Sequence, residues 1–310
     1  MQQLSRQRTI LYLAFLVVVW GVNWPLSKSA LQFAPPLLFA GLRTLIGGII
    51  LIAIALPTYK RIRLRDNWPI YLISSVLNII LYYGLQTVGL KYLPAGLFSS
   101  IVFLQPVLLG IFSWLWLGEL MYGLKIIGLL LGFLGVGVIS VSGGSGEFSL
   151  AGVLLAIGSA ISWALGTIYM KKNAARTDTV WVVALQITIG GVALLLSGSA
   201  YEQWSAIDWN LSFVSNLLFI SVFVIALGWL VYFKLVGSGE ASKVGSFTFL
   251  IPLIAILFSV AFMGETITLK LVAGLLLIVA SIVIVNTKPK LLRSRDTANP
   301  AAPVGSAANR

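Results

Sequence analysis

Residues 95–119, AGLFSSIVFLQPVLLGIFSWLWLGE, and residues 241–265, ASKVGSFTFLIPLIAILFSVAFMGE, align without a gap. The second stretch lies 146 positions after the first. It repeats Ala95 as Ala241, Ser100 as Ser246, Phe103-Leu104 as Phe249-Leu250, Pro106 as Pro252, Phe112-Ser113 as Phe258-Ser259, and Gly118-Glu119 as Gly264-Glu265. Apolar stretches agree by chance often, whereas Pro and Gly-Glu held in one register seldom do. Further along, Gly128 meets Gly274 at the same offset. Toward the N-terminus the offset is 143, pairing Trp20 with Trp163, Lys28 with Lys171, Leu42 with Leu185, Ile46 with Ile189, and Gly47-Gly48 with Gly190-Gly191. The change in offset falls where the loop near 57–68 has a longer counterpart near 198–212, and lengthening a loop costs little. The chain is two copies of one unit.

With 310 residues, 59% of them hydrophobic and 10% charged, there is too little polar surface to cover a soluble globule. A membrane span needs about 20 mostly apolar residues, and ten such runs are present, at 10–30, 35–57, 69–90, 95–117, 124–142, 150–171, 179–197, 212–234, 241–263 and 270–287. The expected fold is an all-α membrane protein of ten transmembrane helices. It divides into a first five-helix repeat at 8–142, a second at 150–287, and a disordered cytoplasmic tail at 288–310. Five spans per copy is an odd number, so the second copy starts from the opposite face and sits inverted. Such a design belongs to transporters.

Basic residues agree with this topology. With the N-terminus inside, every Lys and Arg lies on the cytoplasmic side except Lys28, Lys91, Lys270 and the mid-span Arg43, which places both termini in the cytoplasm. The same rule accounts for the net charge of +12, so nucleic acid is not an expected partner; membrane lipid and a small-molecule substrate are. The first apolar run lacks a small-residue cleavage site and reads as the first helix, not a removed signal. With neither Cys nor His, the chain offers no disulfide, thiolate metal site or thiol nucleophile; no metal, cofactor or catalytic residue is expected.

All nine acidic residues fall in loops or at span ends. A carrier that extrudes cations or exchanges protons commonly keeps a carboxylate in the membrane; none stands mid-span here, and no His is present to carry a proton. The one charge deep in a span is Arg43, roughly 12 Å from the outer end of its helix, too far for easy snorkelling. Its counterpart in the second copy is Gln186. A guanidinium in that position grips a carboxylate through two parallel hydrogen bonds, or else locks neighbouring helices together.

Other polar and aromatic residues recur at repeat-related places: Trp20, Asn23 and Trp24 in the first helix, Trp163 and Thr167 in the sixth, Asn78, Tyr82, Tyr83 and Gln86 in the third, and Trp229 and Tyr232 in the eighth. Ser99 and Gln105 precede Pro106, as Ser246 precedes Pro252. Singly these are ordinary interfacial or interhelical residues. Together they can line one aromatic-walled, polar-spotted cavity. Pro25, Pro106 and Pro252 each remove a helical hydrogen bond and are expected to bend their helices, Pro106 and Pro252 at matched depths. Gly128, Gly132, Gly135 and Gly137 give the fifth helix a small face for packing inside the bundle rather than for dimerisation, so the expected state is a monomer or weak dimer. Glu119 and Glu265, at the joints between helices, are placed to stabilise helix N-termini.

A five-helix unit whose fourth helix carries Pro and, twelve residues on, Gly-Glu (Pro106 to Gly118-Glu119, Pro252 to Gly264-Glu265), with Trp-Gly-Val-Asn-Trp at 20–24, resembles the EamA family of the drug/metabolite transporter superfamily. The resemblance covers about residues 8–287. It implies a bundle in which helices 1, 3, 4, 6, 8 and 9 surround a central cavity and helices 5 and 10 support it. It also implies a multi-pass carrier of the bacterial inner membrane and, among family activities, export of amino acids and other metabolites. The expected function is therefore alternating-access export of a small carboxylate-bearing solute; extrusion of lipophilic drugs through the same cavity is the alternative. A membrane enzyme would need an Asp pair, a Ser-His pair or a metal cluster, and the sequence has none of these.

Overall fold

The computed structural model describes residues 4–93, 98, 101–140, 149–251, 254, 258 and 269–287, and every element among them is helical. In chain order α1 is Arg6–Ala30, α2 Pro36–Ala55, α3 Leu64–Gly89, α4 Gln105–Leu117 and α5 Gly123–Ser140. Then follow α6 Leu150–Asn173, α7 Thr179–Tyr201, α8 Leu211–Ser238, α9 Ala241–Phe247 and α10 Leu269–Asn286. Six of these, α1, α2, α3, α6, α7 and α8, are long and apolar enough to cross a bilayer, with mean hydropathy from 1.4 to 2.3. Their outward positions are apolar, as at Ile49, Leu72, Leu154 and Leu196, while Thr44, Ser74, Asn78, Gln186 and Ser221 are buried. Lipid is the solvent for such a surface, and the chain is an integral membrane protein.

Two antiparallel helix pairs form the frame, and small residues set their closeness. On the α2/α7 seam Gly41 lies against Leu195, Gly48 against Thr188, Leu45 against Gly191 and Leu38 against Gly198; one number falls as the other rises. A Cβ on Gly48 would stand 2.8 Å from the Thr188 Cα, and one on Gly191 2.8 Å from the Leu45 Cα. Shifting Gly48/Thr188 by the repeat offset gives Gly191/Leu45, so the seam maps onto itself. The α5/α10 seam behaves alike: Gly128 meets Val285, Gly132 meets Ser281, and Gly135 meets Ile278. The glycine face of α5 is thus occupied by α10.

The ends of the α2/α7 pair are fastened differently. Asp178 caps α7, accepting from the Val180 N–H at 3.0 Å. The equivalent residue before α2 is Pro35, which has no such oxygen. Glu202, at the end of α7, serves instead and accepts from the Leu37 and Leu38 N–H groups at 3.0 and 2.8 Å. At the opposite end the Trp181 indole donates to the Thr58 carbonyl at 3.0 Å.

Both α3 and α8 contain a π-helical stretch, Val76–Leu81 and Ile220–Gly228, at repeat-equivalent places. A π turn leaves carbonyls off the regular ladder, and each stretch lends one to a neighbouring helix. Ser162 of α6 donates to Leu77 O at 2.6 Å, and Trp20 of α1 donates through Nε1 to Val224 O at 3.2 Å. In this way the bulges fix α6 against α3 and α1 against α8.

The fourth span is broken rather than merely bent. The helix ending at Val102 gives way to a turn at Phe103-Leu104, and α4 restarts with Pro106 in its first turn, where a missing N–H costs nothing. A matching turn at Thr248-Phe249 follows α9. Pro252, Ser99, Gly264 and Glu265 lie outside the described residues, as does the 288–310 tail. α1, by contrast, continues through Pro25.

Candidate functional site

Where α1, α3, α6 and α8 converge, the four tryptophans expected to share a cavity line the same one, and three of them pack on each other. Ring centroids are 5.5 Å apart for Trp20–Trp163, 5.7 Å for Trp20–Trp229 and 6.5 Å for Trp163–Trp229, with interplanar angles of 61–66°. Edge-to-face packing of this kind suits the ring quadrupoles. Tyr82 lies 5.2 Å from Trp163. With Asn23, Trp24, Tyr83, Phe103, Val224 and Ile251 they enclose a cavity of about 20 Å³, room for about one water. The rings are pinned by hydrogen bonds: Trp229 Nε1 donates to Tyr83 Oη at 2.9 Å, and Trp20 Nε1 to the π stretch of α8. Trp163 Nε1 is buried without a partner among the described residues.

A second shelf stands beside the rings. Tyr232 Oη is 3.1 Å from Thr167 Oγ1 and receives Gln105 Nε2 at 3.5 Å, joining α8, α6 and α4. Asn78 and Gln186 form a separate buried pair, Nδ2 to Oε1 at 3.1 Å, away from the cavity wall. Gln86 is buried, and its Oε1 has no partner among the described residues. Ser246 donates to Lys243 O and receives Asn286 Nδ2, so it ties α9 to α10 instead of facing the cavity.

Arg43 is 2% exposed, and no carboxylate among the described residues pairs with it. Its guanidinium lies against two rings, 4.9 Å from the Phe39 centroid and 4.8 Å from that of Tyr83. Nη1 donates to Ser27 Oγ at 3.0 Å, Ser27 Oγ donates to Asn23 Oδ1 at 3.0 Å, and Nε has no partner among the described residues. Arg43 therefore does not line the cavity. It stands one layer back, behind Tyr83 and at the end of the Ser27–Asn23 relay. Burying a guanidinium costs several kcal/mol. One charged hydrogen bond returns about 1.5–3 kcal/mol, and each cation–π contact about 0.5–2. The group is nearly balanced and would gain from an anion.

Ser27, Phe103, Val224 and Ile251 were not anticipated. Asn23 and Ser27 stand four apart on one face of α1, which is a readable signal; Val224 enters through the π stretch, which is not.

At the other end of the bundle the Gly-Glu motif shows its purpose. Gly118 closes α4 in the left-handed region (φ 66°), and the Glu119 N–H reaches back to Ser113 O at 3.2 Å. That turn directs Glu119 not onto α5, the helix that follows, but across to α9. There it accepts from the Ala241 N–H at 2.6 Å and the Ser242 N–H at 3.3 Å, and from the Ser242 hydroxyl. Lys171 of α6 stands 3.2 Å and Lys125 of α5 3.5 Å away; Lys125 also reaches Glu240 at 3.4 Å. Burial pushes the Glu119 carboxyl up, but the Ser242 hydroxyl, Lys171, Lys125 and the Ala241 N–H outweigh it and hold the pKa below its ordinary value. One carboxylate thereby joins α4, α5, α6 and α9.

An apolar helical bundle with a lipid-facing exterior and a small aromatic pocket at its centre has the build of a membrane transporter. The EamA-like transporter family matches residues 7–141 and 150–287, and the chain belongs to it. It is 66% identical over 290 residues to "Uncharacterized transporter YvbV" of Bacillus subtilis (strain 168), covering 94% of this chain and 95% of that protein. It is 27% identical over 303 residues to the "Probable amino-acid metabolite efflux pump" of Escherichia coli (strain K12), covering 91% and 95%. A solved crystal structure superposes with a TM-score of 0.80 at 21% identity, covering 94% of this chain and 99% of the other, and so shares the fold.

Proposed function

We propose that this transporter exports a small carboxylate-bearing metabolite, an amino acid or a close relative, across the bacterial inner membrane. The ten spans form two inverted repeats, 8–142 and 150–287, with both termini cytoplasmic, and alternating access follows from each repeat taking the shape the other holds. The self-mapping seams and the paired π stretches support that reading. The observation that carries the substrate class is Arg43: a buried cation with no carboxylate among the described residues, an idle Nε donor, and an aromatic pocket one layer away. The outward direction is supported by the efflux-pump names of the relatives from Escherichia coli and Salmonella typhimurium.

The test compares metabolites inside and outside cells with and without the chain expressed, then repeats the comparison with Arg43→Gln. The expected result is a carboxylate-bearing solute accumulating outside only with the native chain. An uncharged lipophilic compound, moved equally well by Arg43→Gln, would replace this reading with drug extrusion.

A further inference from the structure

We propose that Tyr83 is a shutter between the pocket and Arg43, and that its displacement is what presents the cation to an anionic solute. The proposal rests on the pocket being the solute's site, though its test needs no solute. The Tyr83 ring meets the pocket while lying 4.8 Å from the Arg43 guanidinium. Phe39, the other ring against the guanidinium, is fully buried and packed 6.1 Å from Phe213, away from the pocket wall. The pocket side is held differently. Tyr83 is kept in place through its hydroxyl, which accepts from Trp229 Nε1 at 2.9 Å, and Trp229 is itself a pocket wall.

A solute larger than about one water must move some part of that wall, because the cavity as it stands is about 20 Å³. Displacing Tyr83 breaks one neutral hydrogen bond, one cation–π contact and the ring contacts with Tyr82 and Trp229 at 4.7 and 6.3 Å, and it opens a way for a carboxylate to reach the N–H edge that carries the unpartnered Nε, where two parallel bonds can form. A neutral solute gains nothing comparable from the same movement. The shutter thus converts a lipophilic pocket into an anion-selective one. Tyr83 also sits just beyond the π stretch Val76–Leu81, and a bulge that migrates along a helix turns each side chain it passes by about 100°, so its passage over Tyr83 would turn this ring. That gives the ring a route out without unwinding α3.

The experiment labels the purified full chain in detergent with methylglyoxal, a small arginine-selective dicarbonyl, and follows Arg43 and Arg61 by peptide mass spectrometry. Arg61, whose side chain is 69% exposed, reports on reagent and sample. Arg43 is expected to react far more slowly than Arg61 in the native chain. In Tyr83→Phe, which keeps the ring and loses the Trp229 bond, Arg43 should react about five-fold faster, and in Tyr83→Ala about twenty-fold faster, with Arg61 unchanged. Arg43 reacting at the native rate in both variants overturns the proposal. If Tyr83→Ala does not elute as a single folded species, Tyr83→Phe decides alone, and an unchanged rate there is equally fatal. Carboxylate transport failing while these rates move removes the solute assignment and leaves the shutter; the reverse outcome removes the shutter only.

Discussion

The two halves of this transporter agree in frame and differ in charge. Gly48 on Thr188 and Gly191 on Leu45 are images of each other, as are the π stretches of α3 and α8. At the matched positions Arg43 and Gln186, however, the chemistry separates. Gln186 is neutral and accepts from Asn78 of α3 through Oε1, leaving Nε2 without a partner among the described residues, whereas Arg43 is charged, lies against Phe39 and Tyr83 and is bonded to Ser27 of α1. In the proposed mechanism the matched frame would let the two repeats exchange shapes, and the unmatched charge would give the solute one end to recognise.

The largest expected effect breaks that asymmetry. Arg43→Ala should lower kcat/KM for the carboxylate solute about 100-fold in proteoliposomes, the loss of a bidentate charged contact, while Gln186→Ala should cost no more than about three-fold. Equal losses would make the two positions equivalent packing sites. Next in size is Glu119→Ala, which leaves Lys125 and Lys171 without their shared carboxylate and should destabilise the folded protein by about 3 kcal/mol, read as a lowered thermal midpoint in detergent. Because its pKa is depressed in the folded state, Glu119 stabilises the protein above about pH 4.3, and this contribution disappears as pH falls through the lowered value. The thermal midpoint of the native chain should therefore drop on acidification below about pH 4, and Glu119→Gln should lack that part of the drop.

The smallest pair of effects sharpens the other side of the comparison. Gly48→Ala and Gly191→Ala force a Cβ onto opposing backbone and should each cost about 1–3 kcal/mol, alike in size because their surroundings are images. Gly137→Ala, with nothing within 4 Å, should be silent.

The sequence carried most of the frame and part of the site. Trp20, Trp163, Trp229, Tyr82 and Tyr83 were legible as a group because they recur at fixed places in two aligned copies, and the structure does bring them together. The Gly-Glu motif was visible, but its target was not. Glu119 caps α9 rather than α5, and that choice is made by the left-handed turn at Gly118 and by contacts 122 residues away. The surroundings of Arg43 were hidden for the same reason. Depth along a helix can be counted from sequence, whereas the ring that rotates in front of a side chain depends on how α2, α3 and α8 pack. The π stretches left no trace in composition, since Val76–Leu81 and Ile220–Gly228 read like any apolar turn. Ser99, Ser246, Gln86 and Asn78 were grouped with the cavity by repeat position alone; of these, Asn78 and Ser246 make their bonds elsewhere in the bundle.

The most direct test of the asymmetric site measures transport of the identified solute against its uncharged amide in proteoliposomes, for the native chain and for Arg43→Gln. The account predicts a clear preference for the acid in the native chain and a ratio near one in Arg43→Gln, which copies the neutral residue of the other repeat. A preference for the acid that survives Arg43→Gln undiminished would contradict it.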